Sequence, residues 1–271
     1  MKIKKDLHIH TTYCDGKSTP EEIVLSAVSK GLSVLGFSGH SYTFFDETWC
    51  MSLEGTHAYK KEIADLKLKY ADKIKILCGT EQDFYSDYPT VDYDYFIGSV
   101  HYIRIPAQGR PAADGCVKYG DYIYIPVDES VGIQKEAAEA YFDADIYSFA
   151  EKYFETVSEW ADRDVLPDLI GHFDLITKFN EQTPLYDEKN PRYISAWKKA
   201  ADRLIAKGLV FEINTGAISR GYRTTPYPSF EIQDYIIKNG GKFIMSSDSH
   251  HKDTLLYKFE EFRTENPAEL F

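Results

Sequence analysis

Seven short apolar runs punctuate the chain: "IKKDLHIH", "SVLGFSGH", "IKILCGTEQ", "YFIGSVHYI", "DLIGHFDLI", "LVFEINTG" and "KFIMSSDSH". Each is of strand length, and each ends in small or polar residues that favour a turn. Between several of them the apolar positions recur at helical spacing, which predicts helices over residues 20–30, 54–70, 146–162, 192–207 and 230–239. Thr19 ahead of Pro20, with Glu22 three residues on, is a helix start with proline in the first turn. Lys30-Gly31 and Lys207-Gly208 read as helix stops. Strand and helix in alternation argue for parallel pairing with helices packed outside. A closed seven-stranded barrel and an open doubly wound sheet both fit that string. Residues 103–145 form one irregular excursion, and their tyrosines (Tyr119, Tyr122, Tyr124) argue against plain disorder.

The polar residues on these runs are unevenly placed. His8 and His10 stand two apart, so on a strand they face one space. Asp15 follows in the next loop; His40, Glu81 and His101 stand at or near the ends of the second, third and fourth runs. His172 lies in the fifth, and Asp248 and His250 finish the seventh. In a parallel barrel those ends share the face on which active sites are built. Imidazoles with carboxylates are ligands for divalent metals, so the pattern predicts a metal centre. His57 and His251 fall outside it. Asp6 either orients His8 or is an ordinary polar strand start.

Composition narrows the partners. The 271 residues are 43% hydrophobic and carry a net charge of −12, which repels nucleic-acid backbones and anionic membranes and predicts no partner of either kind. The four cysteines lie far apart without a C-x-x-C pair, and no apolar run has the length of a signal peptide or membrane span, so a cytoplasmic location is expected. No linker or repeat divides the chain, which is expected to be a single domain over 1–271. A homo-oligomer is left open.

"DLHIHTTYCDG", "GFSGH", "GTEQ", "GSVH", "GHFD" and "SSDSH", in that order, resemble the polymerase-and-histidinol-phosphatase (PHP) family across almost the whole chain. The resemblance implies a distorted seven-stranded (β/α)7 TIM-like barrel with two to three divalent metal ions (Zn, Fe or Mn) at the C-terminal ends of the strands. His8, His10 and Asp248 would hold the first ion, and Glu81 would bridge it to a second completed by His101 and His172. Asp15, His40 and His250 would hold the third. Many members carry histidine at the position of Asp15, and an acidic residue at that of Gly39. Three such ions, three carboxylates and a bridging hydroxide leave roughly +2 in the site, suited to a phosphate monoester.

"VDES", "GHFDLITKF", "EINTGAISRG" and "YPSFEI" resemble the histidinol-phosphate phosphatase branch. They imply hydrolysis of L-histidinol phosphate in histidine biosynthesis, by attack of a metal-bridging hydroxide, with Glu81, Asp248 and His250 at the chemistry. Arg220 is the first candidate to read phosphate through paired hydrogen bonds, with Lys178 and Arg192 behind it and Asp128 as an acceptor for the substrate's ammonium. A phosphoesterase of other specificity, and a metal-binding protein without turnover, are the alternatives.

Overall fold

In a computed structural model, residues 4–262 and 267–271 are described; the first predicted run begins at Ile3, outside them. Seven strands pair in parallel in the order β1 (Lys5–Asp6), β2 (Val34–Phe37), β3 (Lys75–Asp83), β4 (Tyr95–Ser99), then Leu169–Ile170, Val210–Asn214 and Lys242–Ser246. The two edges meet through an isolated bridge. The His10 N–H donates to the Ser249 carbonyl (2.8 Å) and the Ser249 N–H to that of His8 (3.1 Å), which nearly closes the sheet into a barrel. The open doubly wound sheet is thereby set aside.

Helices α1 (Pro20–Ser29) and α2 (Leu53–Lys69) join the first three strands. The start of α1 follows from its sequence: the Thr19 hydroxyl accepts from the Glu22 N–H while the Glu22 carboxylate accepts from the Thr19 N–H. No described helix lies between β3 and β4, where residues 84–94 cross directly.

The fourth run is two strands, not one. β4 stops at Ser99, and β5 (Tyr102–Pro106) leaves the barrel to pair antiparallel with β7 (Tyr122–Pro126), which also pairs with β6 (Val117–Tyr119). The excursion expected to be irregular, residues 103–145, is therefore a three-stranded sheet followed by α3 (Val131–Tyr141); α4 (Ile146–Ser158), inside the helix predicted over 146–162, then leads back towards β8 (Leu169–Ile170). Beyond β8, α5 (Pro191–Ala206) leads to β9 (Val210–Asn214); α6 (Gly216–Ser219) and α7 (Phe230–Lys238) then lead to β10 (Lys242–Ser246). No described helix is long and apolar enough to cross a membrane.

Alternate positions on the strands divide the barrel interior into two layers. Val34, Leu77, Tyr95, Ile97, Leu169, Val210 and Ile244 cluster with Leu7 near the strand starts. Two or four residues further along the same strands stand Glu81, Ser99, Glu212, Asn214 and Ser246, all buried. An apolar floor thus carries a polar layer above it.

Tyr95 anchors that floor. Its hydroxyl donates to the Leu7 carbonyl (2.6 Å) and reaches that of Phe37 (3.1 Å), and its ring lies where a Cβ on Gly79 would come within 2.4 Å. Gly79→Ala is therefore expected to lose about 1–3 kcal/mol of stability, as overpacked cores do, read as a lower urea midpoint. An unchanged midpoint would show that the ring moves freely.

Candidate metal centre

At the C-terminal ends of the barrel strands, Glu81 stands in the middle of five imidazoles. Its Oε2 lies 3.1 Å from His8 Nε2, 3.3 Å from His10 Nε2 and 3.1 Å from His40 Nδ1. Its Oε1 lies 2.8 Å from His172 Nε2 and 3.3 Å from His101 Nε2, and accepts from the Ser99 hydroxyl at 2.6 Å. Asp248 Oδ1 faces His10 Nε2 at 3.3 Å and His8 Nε2 at 3.8 Å. Asp15 faces His250 Nε2 at 3.1 Å, His10 Nδ1 at 3.6 Å and His40 Nε2 at 3.7 Å. The nine residues proposed as ligands from the sequence are thus brought together.

Ligand atoms within 4.8 Å of one another form four groups among the described residues: His10–Asp15–His40–His250, His8–Glu81–His172, His8–His10–Asp248 and His40–Glu81–His101. This grouping is more interwoven than the expected one. His10 also stands with the Asp15 set, His8 with Glu81 and His172, and His40 with Glu81 and His101.

Protons alone serve this site poorly. His8 Nε2, His10 Nε2, His40 Nδ1, Glu81 Oε2 and Asp15 Oδ1 are buried without a hydrogen-bond partner. A buried polar atom left unpaired costs about 1–3 kcal/mol, and a cation between these atoms removes that cost. Burial disfavours the Glu81 carboxylate, but His8, His40 and His101 outweigh it and hold its pKa well below the ordinary range. Burial also opposes ionised Asp248, and Arg220 and His8 override it. His8 is pulled down by burial but driven well above its usual pKa by Glu212, Glu81 and Asp248. His10 is pushed to about 3 by burial and by its neighbours His250 and His40. Ionised carboxylates among crowded imidazole nitrogens fit divalent ions.

Two carboxylates with no expected role support the ligands. Glu212 Oε2 lies 2.9 Å from His8 Nδ1, and its Oε1 accepts from the His172 N–H at 2.7 Å. Asp83 accepts from the His101 N–H at 2.8 Å. Asp6 does not orient His8: its oxygens accept from the N–H groups of Ser247 and Leu256, both at 3.1 Å.

The cleft above the centre encloses about 450 Å³. Arg220, Lys178 and Asp128 all line it. Lys178 Nζ pairs with Asp128 Oδ2 at 3.0 Å. Arg220 Nη1 and Nη2 donate to Asp248 O and Oδ2 (2.9 and 3.0 Å), and Nη1 donates to His250 Nδ1 (2.8 Å). Arg192 is not part of the lining. It sits in the first turn of α5 with its guanidinium on Asp145 (2.7 Å) and Glu151 (2.8 Å), so it is withdrawn as a phosphate contact. Trp49, which sequence reasoning did not single out, packs edge-on against His40 at 4.5 Å and lines the cleft with Tyr102 and Tyr222.

A nearly closed parallel barrel with interlocking buried His/Asp/Glu groups of metal-site type at its strand ends defines a barrel protein with a candidate metal centre. The chain belongs to the PHP family: the PHP domain matches residues 6–216. It is similar to the probable histidinol-phosphatase of Deinococcus radiodurans, 27% identical over 270 residues, with 94% of this chain and 90% of the relative covered. Two solved structures share the fold. A candidate histidinol phosphatase from Listeria monocytogenes superposes with TM-score 0.77 at 20% identity, covering 96% of this chain and 100% of the other. The histidinol phosphate phosphatase of Lactococcus lactis, complexed with zinc, L-histidinol and phosphate, superposes with TM-score 0.61 at 20% identity, covering 92% and 87%.

Proposed function

We propose that the chain is a metal-dependent phosphomonoesterase that hydrolyses L-histidinol phosphate to L-histidinol and phosphate. The observation that carries this reading is a cleft with two kinds of lining. The imidazole–carboxylate groups line it with Arg220 beside them, and so do the carboxylates of Asp46, Asp128 and Glu129 and the rings of Trp49, Tyr102 and Tyr222. The first set suits a phosphate, and the second suits the ammonium and imidazole of histidinol.

His8, His10 and Asp248 would hold one ion, Glu81 with His101 and His172 another, and Asp15, His40 and His250 a third. Bound there, divalent ions would supply an acidified water and a clamp on the oxygens of an in-line displacement. The protein's own contribution is placement. Arg220 stands beside Asp248 and His250, where its guanidinium can turn onto a phosphate oxygen. Lys178, fixed by Asp128, adds a second positive charge to the wall. The full-length similarity to the Deinococcus protein supports the choice of substrate, and zinc, histidinol and phosphate are the ligands that the Lactococcus protein of the same fold holds together.

Metal analysis of the purified protein, coupled to phosphate release from a panel of esters, tests the proposal. Histidinol phosphate is expected to exceed glycerol phosphate and a bis-aryl phosphodiester in kcat/KM. Chelation should abolish release and lower the melting temperature, since an ion at 100 times its Kd stabilises the fold by about 2.7 kcal/mol. Preference for the diester would move the protein to another phosphoesterase activity. Bound metal with no turnover on any ester would leave a binding protein.

A further inference from the structure

Glu212 stands in the middle of β9, inside a run (Val210–Asn214) that is buried throughout. A carboxylate there needs a reason, because burying one without partners is costly. Both its oxygens are occupied. Oε1 accepts from the His172 N–H (2.7 Å) and from Asn214 Nδ2 (2.8 Å), while Oε2 lies 2.9 Å from His8 Nδ1. Asn214 Nδ2 also approaches Asp248 Oδ2 at 3.3 Å. Glu212 therefore touches the ring of His8 and the backbone of His172, and through Asn214 it reaches Asp248.

We infer that Glu212 is the positioning residue that fixes the tautomer of His8. A carboxylate can only accept, so the nitrogen beside it, Nδ1, must carry the proton. Nε2 is then the ring atom left for a metal: it points into the centre, faces Glu81 Oε2 at 3.1 Å and has no hydrogen-bond partner of its own. A metal that binds there displaces any proton on Nε2 and leaves Nδ1–H on Glu212. His10 has a different backing: its Nδ1 lies 3.6 Å from both the Cys14 thiol and Asp15 Oδ1. Of the two imidazoles in the His-x-His pair, His8 is thus the one whose Nδ1 is within hydrogen-bond distance of a carboxylate that lies outside the candidate ligand groups.

The inference rests on the metal reading above but not on the substrate, and it separates two substitutions that a merely structural role would not. In Glu212→Gln the amide oxygen must face the two donors, His172 N–H and Asn214 Nδ2. The amide NH2 is then set against His8 Nδ1. That nitrogen must become an acceptor, the proton shifts to Nε2, and the lone pair meant for the metal is lost. Glu212→Ala removes the partner without imposing the wrong tautomer.

The test is zinc affinity by chelator competition for wild-type protein, Glu212→Gln and Glu212→Ala, together with imidazole nitrogen NMR of zinc-loaded, 15N-histidine-labelled wild-type protein. Glu212→Gln is expected to weaken zinc binding on the order of 10–100-fold, and Glu212→Ala by less. The His8 ring, assigned by its loss in His8→Gln, should keep a proton on Nδ1 and ligate through Nε2. Wild-type affinity in Glu212→Gln, or a greater loss in the alanine variant, overturns the tautomer role. Ligation through Nδ1 overturns it without any Glu212 variant, should those fail to fold. A wild-type protein that binds no zinc overturns the metal reading and this inference together. Absence of activity on histidinol phosphate with zinc bound touches only the proposed substrate.

Discussion

Glu81→Gln is expected to lose roughly two to four orders of magnitude in turnover, while Asp15→Asn loses far less. The substitution keeps shape and volume and removes one negative charge from the point where five imidazoles converge. Glu81 is 1% exposed, so no solvent compensates the loss. Removing one partner from a buried charge cluster costs about 3–5 kcal/mol, which corresponds to roughly 10²–10⁴ in a rate or binding constant. The amide also brings two donors against nitrogens that must keep lone pairs for metal. Asp15 stands at the edge of the centre: its side chain is 37% exposed, and it faces the His40 and His250 rings from the solvent side. Turnover and metal content of the two variants, measured side by side, decide the matter. Equal turnover with all metals retained in both would remove Glu81 from the bridge between the ions.

The strand ends were legible in the sequence because their polar residues recur in register with the strand period, at the hand-over to each loop. Where that period breaks, the sequence reading goes astray. The ladder of β1 ends at Asp6, and beyond it Leu7 enters the barrel floor while Ile9 packs with α1 and α2. Strict alternation therefore does not hold there, and of the two roles open to Asp6, orienting His8 is the one its contacts with Ser247 and Leu256 set aside. Glu212 had a signal that was not used: a lone carboxylate in a run otherwise apolar up to Asn214 must find buried donors or a metal. "YIYIP" (Tyr122–Pro126) likewise alternates with strand period and is a strand, inside a segment expected to be irregular. Arg192 had no such signal. The acids that hold it, Asp145 and Glu151, lie more than 40 residues away in sequence, and only the packing of α4 against α5 brings them together.

Arg220→Ala is expected to lower kcat/KM on phosphate monoesters by about 2–4 kcal/mol, the cost of truncating a charge-assisted contact. Its present contacts sharpen that expectation. The guanidinium donates to His250 Nδ1 at 2.8 Å, which leaves the ring proton on Nε2, facing Asp15 at 3.1 Å. If His250 binds an ion through Nε2, the proton must sit on Nδ1 instead. An acceptor for it is already in place, the Asp248 carbonyl 3.0 Å away. Nη1 then loses its acceptor on the ring and can turn that N–H onto a phosphate oxygen, while its other N–H stays on the Asp248 carbonyl and Nη2 on Asp248 Oδ2. Arg220 thus has two tasks, and the alanine variant should also loosen the metal held with Asp248. Arg220→Lys should restore the charge but not the two-pronged geometry, and so recover only part of the loss. Metal content separates the tasks: a lysine variant with full metal and reduced kcat/KM isolates the phosphate contact. Unchanged kcat/KM in the alanine variant would leave Arg220 as a surface arginine that merely lines the cleft.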